Sequence, residues 1–185
     1  MSSLYSGGVK IIGGQLRGRK LRVIPKKGIR PSSSRTRETL FNWLAPYISG
    51  AQCLDLFAGS GAIGLESSSR GANWVTMVDD DLEVVEDLRN KCTELNVHRC
   101  DVVRKEAISW LAEEKKKKYD IGYLDPPFKT DLLEQALAQL ARGWLSDNAL
   151  VYVEIGSGEL KIRPSWKMLK MARTKKVHYA LLTKT

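Results

Sequence analysis

Gln52-Cys53-Leu54-Asp55-Leu56-Phe57-Ala58-Gly59-Ser60-Gly61-Ala62-Ile63-Gly64 is the stretch whose reading decides the fold. Its apolar start predicts a buried strand over 52–57, and a helix follows over 61–70. The glycines between them allow a tight turn and close approach of backbone to a ligand, with free helix N–H groups beyond for an anion. Gly59, Gly61 and Gly64 fit the pattern G-x-G-x-x-G. That pattern serves a dinucleotide or a methyl donor equally well, so it leaves the ligand open.

Moving outward, apolar runs at 52–57, 74–79, 100–104, 120–125 and 149–155 alternate with helical stretches at 61–70, 81–95, 106–116 and 130–142. Such alternation predicts βαβ units and a parallel sheet covered by helices, an α/β, Rossmann-like fold. After 155 the alternation breaks. Two strand-like runs, 166–173 and 177–183, have no room for a helix between them and are expected to pair as an antiparallel hairpin. Five parallel strands and this hairpin make a seven-stranded sheet. Upstream, Val9–Ile12 and Leu16–Ile24 flank Gly13-Gly14, which reads as the turn of a small basic β-hairpin. Pro31-Ser32-Ser33-Ser34 offers N-capping residues for a helix that ends before Pro46. The expected organisation is a basic hairpin extension over 1–30 and a main domain over 31–185.

The chain has 185 residues, enough for one domain with a proper core, and is 43% hydrophobic and 28% charged. No apolar run approaches the ~20 residues of a membrane span. Three cysteines (Cys53, Cys92, Cys100) without metal-ligand spacing argue against a disulfide framework or a metal site. A cytoplasmic, reduced protein is expected. Charge is segregated: residues 1–37 carry ten Lys/Arg and no acid, and residues 161–185 carry eight, again with no acid. The middle holds 12 basic and 21 acidic residues. Such a split favours a polyanionic partner, nucleic acid above all. Lys115–Lys118 reads instead as a solvated helix end, and His98 and His178 as ordinary surface or strand residues.

Ligands of open α/β sheets bind at the carboxyl ends of the strands. The second strand ends in Asp79-Asp80-Asp81, with Asp79 twenty residues after Gly59, the spacing of an acid that accepts from ribose hydroxyls. Asp81 is expected to cap the following helix. The third strand leads to Glu106-Ala107, where an acid and an N–H can meet an adenine, or where the Glu merely favours a helix start. The fourth ends in Asp125-Pro126-Pro127-Phe128. Prolines lack N–H groups and stiffen the turn, so this edge presents acceptors and a stacking ring. A nicotinamide oxidoreductase has no use for that combination; an enzyme methylating an exocyclic amine needs all of it.

These residues resemble those of the S-adenosylmethionine (SAM)-dependent amino-methyltransferases, marked by [Asn/Asp/Ser]-Pro-Pro-aromatic after the fourth strand. More closely, the chain is similar to the RsmD family, bacterial methyltransferases of guanine N2 in small-subunit (16S) ribosomal RNA. Ile11–Leu21, Arg30-Pro31 and Arg37–Leu44 carry that likeness, with Asp55, Phe57–Gly61 and the Asp125 tetrapeptide. The resemblance implies SAM contacts from Asp55, Phe57, Gly59 and Gly61, with Asp79 on the ribose; Ala58, Ser60, Asp80, Glu106 and Ala107 are expected to complete the cofactor site. It implies that Asp125, Pro126, Pro127 and Phe128 hold the target base. RNA phosphate contacts are expected from Lys10, Arg17, Arg19, Lys20, Arg22, Arg30, Arg35 and Arg37. The expected substrate is 16S rRNA in an assembling small subunit, with the enzyme a monomer and no membrane or metal involved. Competing readings are an adenine-N6 methyltransferase, a nucleotide-cofactor (NAD) oxidoreductase and an inactive RNA-binding module.

Overall fold

The computed structural model describes residues 8–24, 33–113, 117–128, 130–156 and 163–185. In chain order the elements are β1 (Val9–Lys10), β2 (Lys20–Leu21), α1 (Ser34–Leu44), β3 (Gln52–Asp55), α2 (Ala62–Ser69), β4 (Trp74–Asp79) and α3 (Leu82–Glu94). There follow β5 (Cys100–Arg104), α4 (Ala107–Leu111), β6 (Tyr119–Leu124), α5 (Leu132–Leu140), β7 (Leu145–Gly156), β8 (Trp166–Arg173) and β9 (Val177–Lys184). Helix starts follow the sequence: Ser33 Oγ accepts from Thr36 N, and the Asp81 side chain accepts from the N–H groups of Glu83 and Val84. The helix expected over 106–116 is shorter, closing at Leu111.

β3 to β9 form one seven-stranded sheet in the order β5-β4-β3-β6-β7-β9-β8. The first five pair in parallel, and β9 runs antiparallel to both β7 and β8. The chain starts at β3 and winds one way to β5, then crosses to β6 and winds the other way. The carboxyl ends of β3 and β6 therefore flank the reversal point where such sheets bind ligands. Strand residues alternate between two faces. Cys53, Met77, Ile121, Tyr123, Tyr152 and Leu181 pack beneath α1, α2 and α3. Leu54, Val78, Leu124, Val151, Val153 and Leu182 pack beneath α4 and α5. β7 is longer than its apolar run suggests. Its pairing with β6 slips between Tyr119 and Ile121, where Asp120 accepts from Ser146 Oγ at 2.7 Å and from Gln52 N at 2.9 Å.

The N-terminal segment departs from expectation. β1 and β2 do pair, Val9 with Leu21 and Lys10 with Lys20, but Gly13-Gly14 is not their turn. Both glycines lie in a longer connection that docks onto the end of α2. Gly13 O accepts from Ser69 Oγ at 2.6 Å, and Gln15 N donates to Ser69 O at 2.8 Å. Gly14 has φ +77°, and a Cβ there would collide with the Ser69 carbonyl. Close backbone approach, not a hairpin bend, selects glycine here. The segment packs against the main domain. Ile11 and Leu21 are each 1% exposed and join the core under α1 and α2. Two such side chains contribute roughly 3–6 kcal/mol of burial.

Candidate active site

At the carboxyl end of β3, the turn into α2 rises through Gly61, whose φ of +75° disfavours any residue with a Cβ. The N-cap residue, Gly61, has no side chain to cap α2, so the first-turn amides must find partners elsewhere. Behind the turn Asp55 is 4% exposed and accepts from Gly64 N at 3.0 Å. Burial pushes its carboxyl up to about 7; the Gly64 bond opposes this and the nearby Asp79 charge adds to it. A cationic ligand at this turn would favour the ionised form.

Asp79, at the end of β4, closes the same turn. Its Oδ2 accepts from Gly59 N at 2.9 Å and its Oδ1 from Asp81 N at 3.1 Å. Burial raises its pKa, these two bonds lower it, and the neighbouring Asp80 and Asp81 charges raise it again. Asp80 is exposed. Phe57 is half-buried, while Ala58 and Ser60 are buried. Glu106 caps α4 instead of standing free: its two oxygens accept from Ile108 N at 2.9 Å and Ser109 N at 2.7 Å. Slight burial raises its pKa, but those bonds outweigh it and hold the carboxyl low. Ala107, next in sequence, is buried.

Asp125-Pro126-Pro127-Phe128 leaves β6 beside the end of β7, since Leu124 pairs with Val153. Asp125 is half-buried, Pro126 buried and Pro127 exposed, with the Pro127 carbonyl accepting from Thr130 Oγ1 at 2.8 Å. Phe128 is 44% exposed, a large ring offered to solvent. A Cβ placed on Gly156 would sit 3.4 Å from that ring, so Phe128 lies against the end of β7. An acceptor-rich turn and an open aromatic face thus stand together at the reversal point, beside the acid-lined glycine turn. Among the described residues no His/Cys/Asp/Glu cluster fits a metal ion, and all three cysteines are free thiols.

The expected RNA contacts divide. Lys10, Arg17, Arg19, Lys20, Arg22 and Arg35 are exposed. Arg30 lies outside the described residues. Arg37 is corrected: it is 1% exposed and cannot reach a phosphate. It is turned inward by Glu66, 3.4 Å away, and by the Lys10 carbonyl at 3.0 Å. Burial lowers its pKa, Glu66 raises it, and Arg70 lowers it again.

Three residues not singled out from sequence complete the frame. Glu66, wholly buried, accepts from Ile12 N and Gly13 N and pairs with Arg37 and Arg70, which fixes the N-terminal segment to α2. Lys91, 4% exposed, donates from α3 to Ser60 O at 2.9 Å and pairs with Asp87, bracing the glycine turn. Its position in the stripe Val84-Leu88-Lys91-Cys92 was the available signal. Glu154, 4% exposed, accepts from Tyr152 Oη at 2.8 Å on β7. Burial, then Glu154, then Asp125 push the Tyr152 hydroxyl up, which places this pair beside the tetrapeptide.

Comparison with known proteins agrees with this geometry. The family described as "Conserved hypothetical protein 95" matches residues 9–183. Ribosomal RNA small subunit methyltransferase D of Escherichia coli is 45% identical over 179 residues, 95% of this chain and 90% of that protein. The solved structure of the yhhF protein from Escherichia coli superposes with a TM-score of 0.87 at 44% identity, covering 96% of this chain and 98% of that one. The T. thermophilus 16S rRNA N2 guanine methyltransferase RsmC, solved with AdoMet and guanosine, reaches a TM-score of 0.68 at 26% identity over 98% of this chain and 50% of its own. The cofactor is therefore SAM, and the nicotinamide alternative is set aside. With the strand order, the acid-lined glycine turn and the Asp-Pro-Pro-Phe edge in one molecule, the chain belongs to this family, the RsmD family of SAM-dependent methyltransferases.

Proposed function

We propose that this protein methylates the exocyclic N2 amine of a guanine in small-subunit ribosomal RNA. The observation that carries the reading is the Asp125–Phe128 edge at the β3/β6 reversal point, with Phe128 open to solvent. The naming of the Escherichia coli relative as a small-subunit rRNA methyltransferase, and the guanosine bound by RsmC, support the choice of RNA and base. The enzyme acts as a monomer in the cytoplasm, on an assembling small subunit.

The guanine amine is a weak nucleophile because its lone pair is delocalised into the ring. Asp125 and the Pro126 carbonyl accept its two N–H bonds, favour a tetrahedral nitrogen and aim the lone pair. Phe128 fixes the ring plane by stacking, worth ~1–3 kcal/mol in comparable sites. SAM, when bound, supplies the methyl group. Asp55, Phe57, Ala58, Gly59, Ser60 and Gly61 line its pocket with Asp79, Asp80, Glu106 and Ala107. Positioning and stabilisation of the cationic amine supply the acceleration, and the proton leaves after transfer. The base reaches the site by leaving its stack. Lys10, Arg17, Arg19, Lys20, Arg22 and Arg35 hold phosphates.

Incubation with labelled SAM and under-methylated small subunits, followed by digestion of the RNA, is expected to yield labelled N2-methylguanosine. Labelled N6-methyladenosine, or no label in the RNA, overturns the reading. Asp125→Ala is expected to abolish turnover with SAM affinity within about twofold of wild type. Near-normal turnover would remove Asp125 from its role.

A further inference from the structure

The acid-free segment over 161–185 forms no part of the site described above. Its placement gives it one. β9 begins where β7 ends: Gly156 pairs with Val177 and Ile155 with His178, while Arg173 of β8 pairs with His178. The β8–β9 turn therefore lies at the same end of the sheet as the carboxyl ends of the parallel strands. Phe128 leans on Gly156, so the turn begins one strand away from the proposed base-stacking ring. The step from β7 through β9 to β8 is about 10 Å, two strand spacings. That is roughly one to three phosphates along a nucleic-acid strand.

The turn is built to hold its shape. Thr174 N donates to Val177 O at 2.8 Å, and Thr174 Oγ1 accepts from Lys176 N at 3.3 Å and from Val177 N at 3.1 Å. Around this closed backbone Arg173, Lys175 and Lys176 are all exposed. Among the described residues none of the three forms a salt bridge. Three cations within four residues repel one another, and a surface made only for solubility intersperses acids among them. Extrusion of a base from its stack, moreover, requires a hold on the backbone next to it.

We propose that the β8–β9 turn is a phosphate-binding surface: Arg173, Lys175 and Lys176 grip the RNA backbone one to three nucleotides from the target base. The assignment rests on the reading of the protein as an rRNA methyltransferase. It is separate from the N-terminal cations, whose docking on α2 lies at the helix end away from the glycine turn.

The test compares two charge-matched variants of the full chain. Lys175→Glu/Lys176→Glu changes the turn. Lys167→Glu/Lys184→Glu makes the same charge change at the opposite end of the same hairpin, where Lys167 pairs with Thr183 and Lys184 with Trp166. Dissociation constants for protein-free small-subunit rRNA and for intact small subunits are measured over a range of salt, alongside SAM affinity and melting temperature. The turn variant is expected to bind at least about tenfold more weakly, with a salt slope shallower by roughly 1.5–2. The opposite-end variant should stay within about twofold of wild type, and SAM affinity and melting temperature should not move in either. Equal weakening in both variants means net charge alone matters and overturns the proposal. So does unchanged binding in the turn variant, and so does a defect seen only on intact particles, which points to a ribosomal protein as the partner. If wild type places no label in rRNA, the underlying reading fails first, and that result is visible before any variant is made.

Discussion

The two basic segments of this chain have similar composition and opposite architecture. The N-terminal one is drawn inward. Its backbone is gripped by Glu66 and Ser69 of α2, Ile11 and Leu21 enter the core, and Arg37 is consumed as a buried counter-ion. The C-terminal turn is closed by its own Thr174 between paired strands, and Arg173, Lys175 and Lys176 are all exposed, whereas the N-terminal segment exposes its surface cations but buries Arg37. A run of lysines and arginines thus says little by itself. What separates a structural cation from a ligand-seeking one is whether an acid is buried within reach.

That contrast can be broken at the buried acid. Glu66→Ala leaves Arg37 and Arg70 without their carboxylate and the Ile12 and Gly13 amides without an acceptor. A loss of about 3–5 kcal/mol in urea unfolding is expected, as for other half-removed buried pairs. A loss below about 1 kcal/mol would mean that the segment is held by Ile11 and Leu21 alone. No cation of the β8–β9 turn should approach this figure, since exposed charges generally fall within about 0.5 kcal/mol.

A pair of glycines sharpens the comparison. Gly14 (φ +77°) and Gly18 (φ +86°) carry the same backbone strain if substituted, but only Gly14 faces the Ser69 carbonyl; a Cβ on Gly18 meets nothing within 4 Å. Gly18→Ala should cost about 1–2 kcal/mol, the left-handed penalty, and Gly14→Ala clearly more. Equal unfolding midpoints would show that docking on α2 contributes nothing beyond conformation.

The last effect concerns pH and lies in the acid-lined turn between the two basic regions. Asp55 has a folded pKa of about 7, above its ordinary 3.8. The native state therefore keeps a proton that the unfolded chain has released, and its stability falls as pH rises from about 4 to 7. Asp55→Asn keeps an acceptor for Gly64 N and removes that dependence. In the SAM-free protein the variant should gain on wild type across this window by ~2–4 kcal/mol, then level off. Parallel curves at pH 5 and pH 8 would show that Asp55 is ionised throughout.

The parallel strands, the terminal hairpin and the helix cap at Asp81 were legible because each rests on local pattern: apolar runs of strand length, a missing helix, a carboxylate before a helical stretch. The positions of the glycine turn and the tetrapeptide at strand ends were legible from the apolar runs that precede them, though the glycine pattern by itself left its ligand open. Gly13-Gly14 and Arg37 were misjudged for a common reason. Each answers to a partner more than fifty or nearly thirty positions away, Ser69 and Glu66 respectively, and nothing nearby in sequence announces it. Glu106 suited both a ligand and a helix start, and only coordinates show its two oxygens engaged.

Among the described residues β8 is the last strand of the sheet, and it exposes Met168, Leu169 and Met171. A bare apolar edge of this kind invites a strand from another molecule to add on. Lys167 and Lys170, interleaved with those side chains, set like charge against like when two copies approach edge to edge. The cations on this hairpin therefore oppose edge-to-edge pairing of two copies, and exchanging them for neutral residues is expected to lower colloidal stability.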